Sequence, residues 1–361
     1  MKKLYIIALF LFPLGLIAQK SVDLDRFYFT TQFRSLPKIK IDSTYRTYNV
    51  VVEGTKLMQL FLQELTPEKN VLLEGWRKLS ENGHLLIKVK LEDLLPESYS
   101  VKERVENIKN SKGQVTGTRT LYYQEVVYTF AATANITDYK GIHIMDQSLA
   151  ERNYKQVYKS PEFAIRAVAE GYFMLNAINI TGDLYRNCVN RAIHYLNDRI
   201  TDNFGFRTVT VKDQMWIVGS KKHPEYSAHR QAFQQINNSL FAMRPEKPID
   251  DIKEQLKPAI EYFEKIKRKY TSTKKHDRKI RYASYYNLAV LYYYLDDPQM
   301  MMKEANGLVL NDFDVKDGKA FEQSAMRLKN LFEQNNIYTR HFEIDPSSFK
   351  GPYEKNEVTV K

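Results

Sequence analysis

The pattern of hydrophobic and polar positions divides the chain into a strand-rich first part and a helical last part. In residues 84–91 apolar side chains alternate with lysines, which predicts a strand with one buried face. Residues 46–53 are β-branched and stop at a glycine, and they predict a second strand. Segments 99–106 and 120–137 flank a polar turn and predict a long hairpin. Residues 141–145 predict a further short strand.

Helical spacing appears in the middle of the chain. Pro161 predicts a helix start, and apolar positions at helical intervals follow it over residues 163–175. Asp183 predicts the N-terminal cap of a second helix. Residues 206–211 and 214–218 predict a pair of strands around a Lys-Asp turn, which we expect to rejoin a sheet against which the two helices pack.

From about residue 229 the apolar positions recur at helical spacing to the end of the last predicted helix. Pro258 falls inside one of these helices and predicts a kink. The segment 282–312 predicts two short helices joined at Asp296-Asp297-Pro298, the first of them carrying six tyrosines. A polar tail follows over residues 341–361, and we expect it to fray.

These elements predict an α+β fold, with a β-rich N-terminal and middle region followed by an all-α helical-hairpin C-terminal domain. The predicted segments are a signal peptide at 1–18, a β-rich α+β region at 19–220 with an internal boundary near 148, a helical domain at 225–335, and the polar tail at 341–361.

The N-terminus predicts export. Two lysines precede the apolar run of residues 4–17, and Ala18-Gln19 follows it, which is the layout of a secretory signal peptide. A permanent anchor is the alternative, but a spanning helix needs about 20 apolar residues and this run is shorter. The arrangement resembles the export signals of Bacteroidetes envelope proteins. We therefore expect a periplasmic protein, or one associated with the outer membrane or cell surface, that is not an integral membrane protein.

Positive charge is concentrated in one segment. The formal net charge is +11, and nine of the residues from 265 to 281 are Lys or Arg, against the single acid Asp277. A basic chain first suggests nucleic acid, but export disfavours that partner. We expect an acidic protein in the cell envelope, with anionic lipid or glycan as further options. The alternative is that the segment is only a solvated loop between helices.

The motif Tyr285-x2-Leu288-Ala289-x2-Tyr292 resembles the first helix of a tetratricopeptide repeat, with Tyr in place of Trp and Ala in place of Gly. The turn before Pro298 matches the turn between the helices of that repeat. Met301 departs from the pattern, because a small residue is expected there. The resemblance implies a helical-hairpin array whose concave groove binds a peptide or a partner protein.

The tyrosines of this segment divide into two sets. Tyr285 and Tyr292 predict an inward stripe, whereas Tyr282, Tyr286 and Tyr293 are expected to the side or outward. With the basic segment, they give the predicted partner-binding residues: Tyr286, Tyr293, Lys267, Arg268, Lys274, Lys275, Arg278, Lys279 and Arg281.

The chain contains no catalytic motif that we identify. GxSxG, HExxH and glycine-rich phosphate loops are absent, and His223 and His229 lack metal-ligand spacing. Cys188 is the only cysteine, which excludes an intramolecular disulfide, and it falls on an apolar helical face. We expect no enzyme activity, no cofactor and no bound metal.

The preferred hypothesis is a non-enzymatic exported envelope protein that acts as a protein-binding scaffold or adaptor through its helical domain. A glycan- or peptidoglycan-binding module is one alternative, with Tyr122, Tyr123 and Trp76 as its first candidate residues. A hydrolase acting on envelope glycans through unidentified carboxylates is another.

Overall fold

The computed structural model describes residues 22–354 of the chain. The predicted signal peptide at residues 1–18 lies outside the described residues. Strands occupy the N-terminal and middle region and helices the C-terminal part, which confirms the predicted α+β fold class.

The strands, in chain order, are β1 Leu24–Arg34, β2 Thr47–Gly54, β3 Arg77–Lys78, β4 Leu85–Leu91, β5 Leu95–Lys109, β6 Val115–Thr129, β7 Ala132–Asp138, β8 His143–Ala150, β9 Gln156–Lys159 and β10 Thr208–Val218. They form a two-stranded sheet β1-β10, a five-stranded sheet in the order β3-β2-β4-β7-β8, and a three-stranded sheet in the order β5-β6-β9.

The α-helices, in chain order, are α1 Gln59–Leu65, α2 Pro67–Asn70, α3 Arg166–Leu175, α4 Ala177–Phe204, α5 Tyr226–Ala242, α6 Asp250–Lys269, α7 Lys275–Tyr294, α8 Pro298–Asn311 and α9 Val315–Asn335.

The chain forms two compact units, each built from two separate segments. Unit 1 contains the described residues up to Phe33 together with Thr210–Asn330. Unit 2 contains Arg34–Val209 and the described residues that follow Asn330. These units differ from the predicted domains of residues 19–220 and 225–335, because the first strand of the chain pairs with β10 rather than with the strands that follow it.

Unit 1 packs the sheet β1-β10 against helices α5 to α9. The predicted strand pair at 206–211 and 214–218 is wrong, because β10 runs unbroken through Lys212 and Asp213. Lys212 lies over the ring of Tyr28 at 4.9 Å, and Asp213 accepts a hydrogen bond from Tyr294 at 2.7 Å. The two polar residues therefore make contacts from within the strand instead of forming a turn.

The core of unit 1 contains a large apolar cluster and a smaller one. The large cluster joins Phe29 of β1 and Ile217 of β10 to Phe263 of α6 and Leu288 of α7. The smaller cluster joins buried side chains of β10, α6 and α7. Helix α6 continues through Pro258, whose fixed φ is compatible with a helix although it cannot donate the usual backbone hydrogen bond.

Unit 2 is built on the five-stranded sheet. β4 pairs in parallel with β2 and antiparallel with β7, and its burial alternates as its sequence predicts. Helix α4 begins at Ala177, so Asp183 lies inside it and is not its cap; this carboxylate instead pairs with Arg186 one turn later, at 2.7 Å. Tyr185 of the same helix is fully buried edge-on against Phe130.

The predicted hairpin is present, with a correction to its second strand. β5 and β6 pair over most of their length and join through the polar turn at 110–114. The predicted continuous segment 120–137 is divided, because β6 ends at Thr129 and β7 begins at Ala132 in another sheet.

The described part of the polar tail packs onto unit 2, contrary to the expected fraying. Arg34 donates from Nε to the carbonyl of Phe342 at 2.9 Å, and Arg77 donates to the carbonyl of Phe349 at 2.6 Å. His341 is buried. Two arginines from distant parts of the chain therefore hold a segment whose own sequence is polar.

No α-helix within residues 22–354 combines the length and the apolar character that crossing a membrane requires.

One buried histidine makes the stability of unit 1 dependent on pH. His229 is fully buried and accepts the backbone N–H of Val218, and burial lowers its pKa from 6.5 to about 3. Below pH 6.5 the unfolded chain takes up a proton that the folded chain refuses, so stability falls as pH falls through this window. We expect a loss of about 2 kcal/mol from this residue between pH 7 and pH 5.

Chemical denaturation of wild type and His229→Asn at both pH values measures this contribution. Asn can still accept the Val218 N–H but does not titrate, so its loss should be smaller by that amount. His194→Asn, at an exposed position, is the control and should keep the wild-type dependence. Equal pH dependence in His229→Asn and wild type would contradict the assignment.

Candidate partner-binding surface

The predicted basic linker of residues 265–281 is mostly helical. Its first residues form the last turn of α6, which ends at Lys269, and its last residues form the first turns of α7, which begins at Lys275. Only residues 270–274 connect the two helices. The interpretation as a solvated loop is therefore wrong for most of the segment, and each cation must be placed individually.

Lys267 is not on the surface. Its side chain is 8% exposed, and its ammonium pairs with Glu304 of α8 at 2.6 Å and with Glu264 of α6 at 2.8 Å. It also lies 4.7 Å above the ring of Tyr285. The prediction that Lys267 contacts a partner is therefore wrong. The sequence did not indicate the ion pair because Glu304 lies 37 positions away in the chain.

Glu304 shows why this ion pair is a structural constraint. Its side chain is fully buried, and burial raises the pKa of its carboxyl group, while Lys267 acts in the opposite direction. A buried carboxylate without its cation is costly, so the pair fixes the distance between α6 and α8.

Two further predicted residues brace the connection between helices. Arg278 pairs with Asp312 at 3.0 Å. Arg281 donates from Nε to the side chain of Asn311 at 2.8 Å and from Nη1 to the carbonyl of Ser272 at 2.9 Å. Their guanidinium groups join the start of α7 to the end of α8 and to the α6–α7 connection, and both side chains are half-buried.

The remaining predicted cations form no ion pair with the described residues. Arg268, Lys274 and Lys275 are exposed, and Lys279 is half-buried. No carboxylate among residues 22–354 lies within ion-pair distance of any of these four side chains.

The structure adds two lysines that sequence reasoning missed. Lys221 and Lys222 are exposed in the turn between β10 and α5, and the turn is joined to the end of α6 through Glu225. This carboxylate accepts hydrogen bonds from Lys269 at 2.6 Å and from Tyr270 at 3.1 Å.

The surroundings of Glu225 favour the ionised form of its carboxyl group. Burial opposes its ionisation, but hydrogen bonds from Lys269, Tyr270 and Tyr262 outweigh burial and lower its pKa. The ring of His223 in the same turn lies 6.0 Å from that of Tyr270.

We call the resulting surface the basic end of unit 1; it comprises Lys221, Lys222, Arg268, Lys269, Lys274 and Lys275.

The helix dipoles have opposite effects on the cations at the two helix ends. Arg268 and Lys269 occupy the last turn of α6, where the negative end of the dipole favours cations. Lys274 and Lys275 lie at the start of α7, where the dipole disfavours them, and Lys274 is an N-cap without a capping side-chain hydrogen bond. The first turn of α7 also contains Asp277, but neither Lys274 nor Lys275 lies within ion-pair distance of it.

The tyrosines of α7 serve packing more than the sequence predicts. Tyr286 is half-buried between Trp216 and Phe321, with ring centroids 6.3 and 5.0 Å away. Tyr293 is half-buried edge-on against Tyr294.

Tyr282, expected outward, is buried and donates to Asp317. The expected division fails at Tyr282 because β10 and the segment beginning at Phe313 cover this side of α7.

The hairpin α7–α8 carries its own local determinants. Asp297 caps α8 by accepting the backbone N–H of Met300 at 2.9 Å, and Pro298 follows at the first helical position. The two helices pack closely at Gly307, where an added Cβ atom would clash with the ring of Tyr285.

The aromatics proposed for a glycan-binding sheet face do not form an exposed platform. Trp76 is buried and donates from its indole N–H to the carbonyl of Phe204 at 2.8 Å. Tyr122 and Tyr123 are half-buried. The indole N–H of a buried Trp needs a hydrogen-bond partner, and that of Trp76 finds one in the backbone.

Cys188 is buried, and burial raises the pKa of its thiol, so it is not activated as a nucleophile. Within residues 22–354 no group of three or more His, Cys, Asp or Glu side chains is arranged to hold a metal ion.

Comparison with protein-family models and with curated proteins finds no match to this chain. The tetratricopeptide resemblance therefore remains a prediction based on residues 285–298 and on the hairpin they form.

The buried ion pair predicts a large and specific stability effect. Lys267→Met leaves the buried Glu304 carboxylate with only Lys303, at 4.0 Å, as an ion-pair partner, so we expect the free energy of unfolding to fall by about 3 kcal/mol. Replacing both partners, in Lys267→Met/Glu304→Leu, should recover much of that loss. Lys265→Met, at an exposed position, is the control and should change stability by less than about 0.5 kcal/mol. Urea denaturation measures all four proteins, and a neutral Lys267→Met would contradict the constraint.

The two helix ends predict effects of opposite sign. Lys274→Asp supplies a cap and a negative charge at the start of α7, so the free energy of unfolding should rise by about 1 kcal/mol. Arg268→Asp places the same charge at the end of α6 and should lower it by about 0.5 kcal/mol. Both differences should shrink in high salt. Denaturation at low and high ionic strength tests this, and effects of the same sign would refute the dipole account.

Proposed function

We propose that this chain is a non-enzymatic exported envelope protein that binds an acidic segment of a partner protein at the basic end of unit 1. The observation that carries the proposal is that Lys274 and Lys275, at the positive end of a helix dipole, face no carboxylate within ion-pair distance among the described residues. In contrast, the nearby cations Lys267 and Arg281 are held by contacts within the protein.

Rigid support favours binding at this surface. Glu225 joins the turn carrying Lys221 and Lys222 to the end of α6 through hydrogen bonds to Lys269 and Tyr270. Arg281 holds the α6–α7 connection from the other side. A partner would therefore meet cations whose backbone is already ordered, which reduces the entropy lost on binding.

An acidic protein segment is preferred over a flat anionic surface because the cations belong to three separate backbone segments. They lie on a turn, on a helix C-terminus and on a helix N-terminus that meet at one end of the helical stack. An extended acidic chain could contact these cations successively, and electrostatic complementarity would mainly increase its association rate. The scaffold or adaptor role predicted from the helical hairpins forms part of this proposal.

Charge reversal with a matched control tests the proposal. The tagged mature protein and Lys274→Glu/Lys275→Glu are used to capture partners from envelope extract, with quantitative mass spectrometry as the readout. We expect the specific partners of wild type to fall at least about tenfold in the variant, because two charged contacts become repulsive. The captured amount should also fall with added salt.

Lys316→Glu/Lys319→Glu provides the control, since both lysines are exposed in α9 of the same unit and lie outside the basic end. It changes the net charge equally and should retain the partners. If both double variants lose them equally, net charge and not the basic end is responsible. Unchanged capture by Lys274→Glu/Lys275→Glu would remove this surface from the interface.

A further inference from the structure

Unit 2 contains a pocket that the proposed function does not use. It has a volume of about 310 Å³ and lies between α4 and the turn that joins β8 to β9. This volume is at the lower end of the range for small-molecule sites. Phe130 contributes to its lining and is itself almost completely buried.

One wall is a single face of α4. Cys188, Arg191 and Tyr195 are spaced three and four residues apart, which places them one above another along the helix. The opposite wall comes from the β8–β9 turn, which contributes Glu151 and Tyr154. The pocket thus joins residues that are about forty positions apart in the chain, and neither segment alone indicates it.

Arg191 is held in place without a carboxylate. Its Nη2 donates to Oε1 of Gln156 and to Sγ of Cys188, the latter at 3.4 Å. Gln156 is fixed in turn by the hydroxyl of Tyr128, which donates to the same oxygen at 3.1 Å. No carboxylate of the described residues is within ion-pair distance of Arg191, so its remaining N–H groups are oriented by neutral partners.

Two tyrosine rings border the pocket and remain in solvent. Tyr154 is 71% exposed and Tyr195 is 44% exposed, although both side chains are large and partly apolar. Tyrosine loses little conformational entropy when it is covered and offers both a flat ring face and a hydroxyl group. Such rings around a concave site are suited to a flat ligand with polar edges.

Charge decides between ligand classes. The lining carries one cation, Arg191, and one carboxylate, Glu151, which accepts a hydrogen bond from Ser148 at 3.2 Å. An anionic ligand would meet Glu151 and a cationic ligand would meet Arg191, each at an electrostatic cost. A neutral ligand that both donates and accepts hydrogen bonds satisfies both groups.

We propose that the pocket between α4 and the β8–β9 turn binds a neutral saccharide unit. The Arg191 guanidinium donates to ring or hydroxyl oxygens, Glu151 accepts from hydroxyl groups, and Tyr154 and Tyr195 cover the C–H faces of the sugar. The site lies in unit 2 and does not depend on the basic end of unit 1, so either proposal can fail without the other.

Saturation-transfer NMR and calorimetry with the full mature chain test this site. The probes are glucose, galactose, mannose, N-acetylglucosamine, cellobiose and maltose, each at about 10 mM, a concentration that detects millimolar affinity. We expect at least one of them to bind. Tyr154→Ala, Tyr195→Ala and Arg191→Lys should each weaken that binding about tenfold, the last because Lys keeps the charge but loses the planar fork of donors.

Tyr338→Ala is the matched control, since Tyr338 is 64% exposed in unit 2 and does not line this pocket; its affinity should equal that of wild type. Near-ultraviolet circular dichroism checks that each variant is folded. The proposal is overturned if none of the six sugars binds, or if binding survives all three pocket variants. Preferential binding of benzoate or L-phenylalanine, tested as charged and zwitterionic probes, would also overturn it.

Discussion

The buried pair of Lys267 and Glu304 is the constraint on which the helical stack of unit 1 depends. Two charges removed from water are tolerated when they lie close together and further groups contact them. Glu264 and the ring of Tyr285 contact Lys267, whereas Oε1 of Glu304 accepts no hydrogen bond from the described residues and has Lys303 at 4.0 Å. The pair therefore determines how far α6 may lie from α8, with α7 between them in sequence. It also determines which cations of a basic segment are neutralised inside the protein and which remain outside.

The difference between cations paired inside the protein and cations left on its surface also accounts for the basic end. Glu225 pairs with Lys269 and accepts a hydrogen bond from Tyr270. These contacts join the end of α6 to the turn that carries the exposed lysines 221 and 222. Lys274 and Lys275 then occupy a helix start that would be more stable with acidic residues. Local sequence choices that oppose stability in this way are most readily understood as contributions to function.

Sequence reasoning succeeded where a feature depends on neighbours in the chain. The alternation in β4, the hairpin of β5 and β6, and the helices on both sides of Pro298 are local patterns, and the structure contains all three. It failed where the deciding partner is distant. β10 was divided at Lys212-Asp213 because a polar pair resembles a turn, and its actual partner, β1, belongs to the separate N-terminal segment of unit 1. For the same reason Lys267 was assigned to the surface, and the pocket at Arg191 was missed although its spacing to Tyr195 was visible.

The division of the chain between units has a consequence for how the protein is made. The polypeptide passes from one unit to the other after Phe33, after Val209 and after Asn330. Strand β1 is synthesised early, yet its partner strand and the helices that cover it emerge only after most of unit 2. Folding of the emerging chain, whether at the ribosome or after translocation, therefore cannot proceed in chain order, because unit 1 stays open until nearly the whole chain has emerged. During that interval the backbone groups of the β1 segment lack their β10 partner, so this segment is one that a chaperone could protect from wrong pairing.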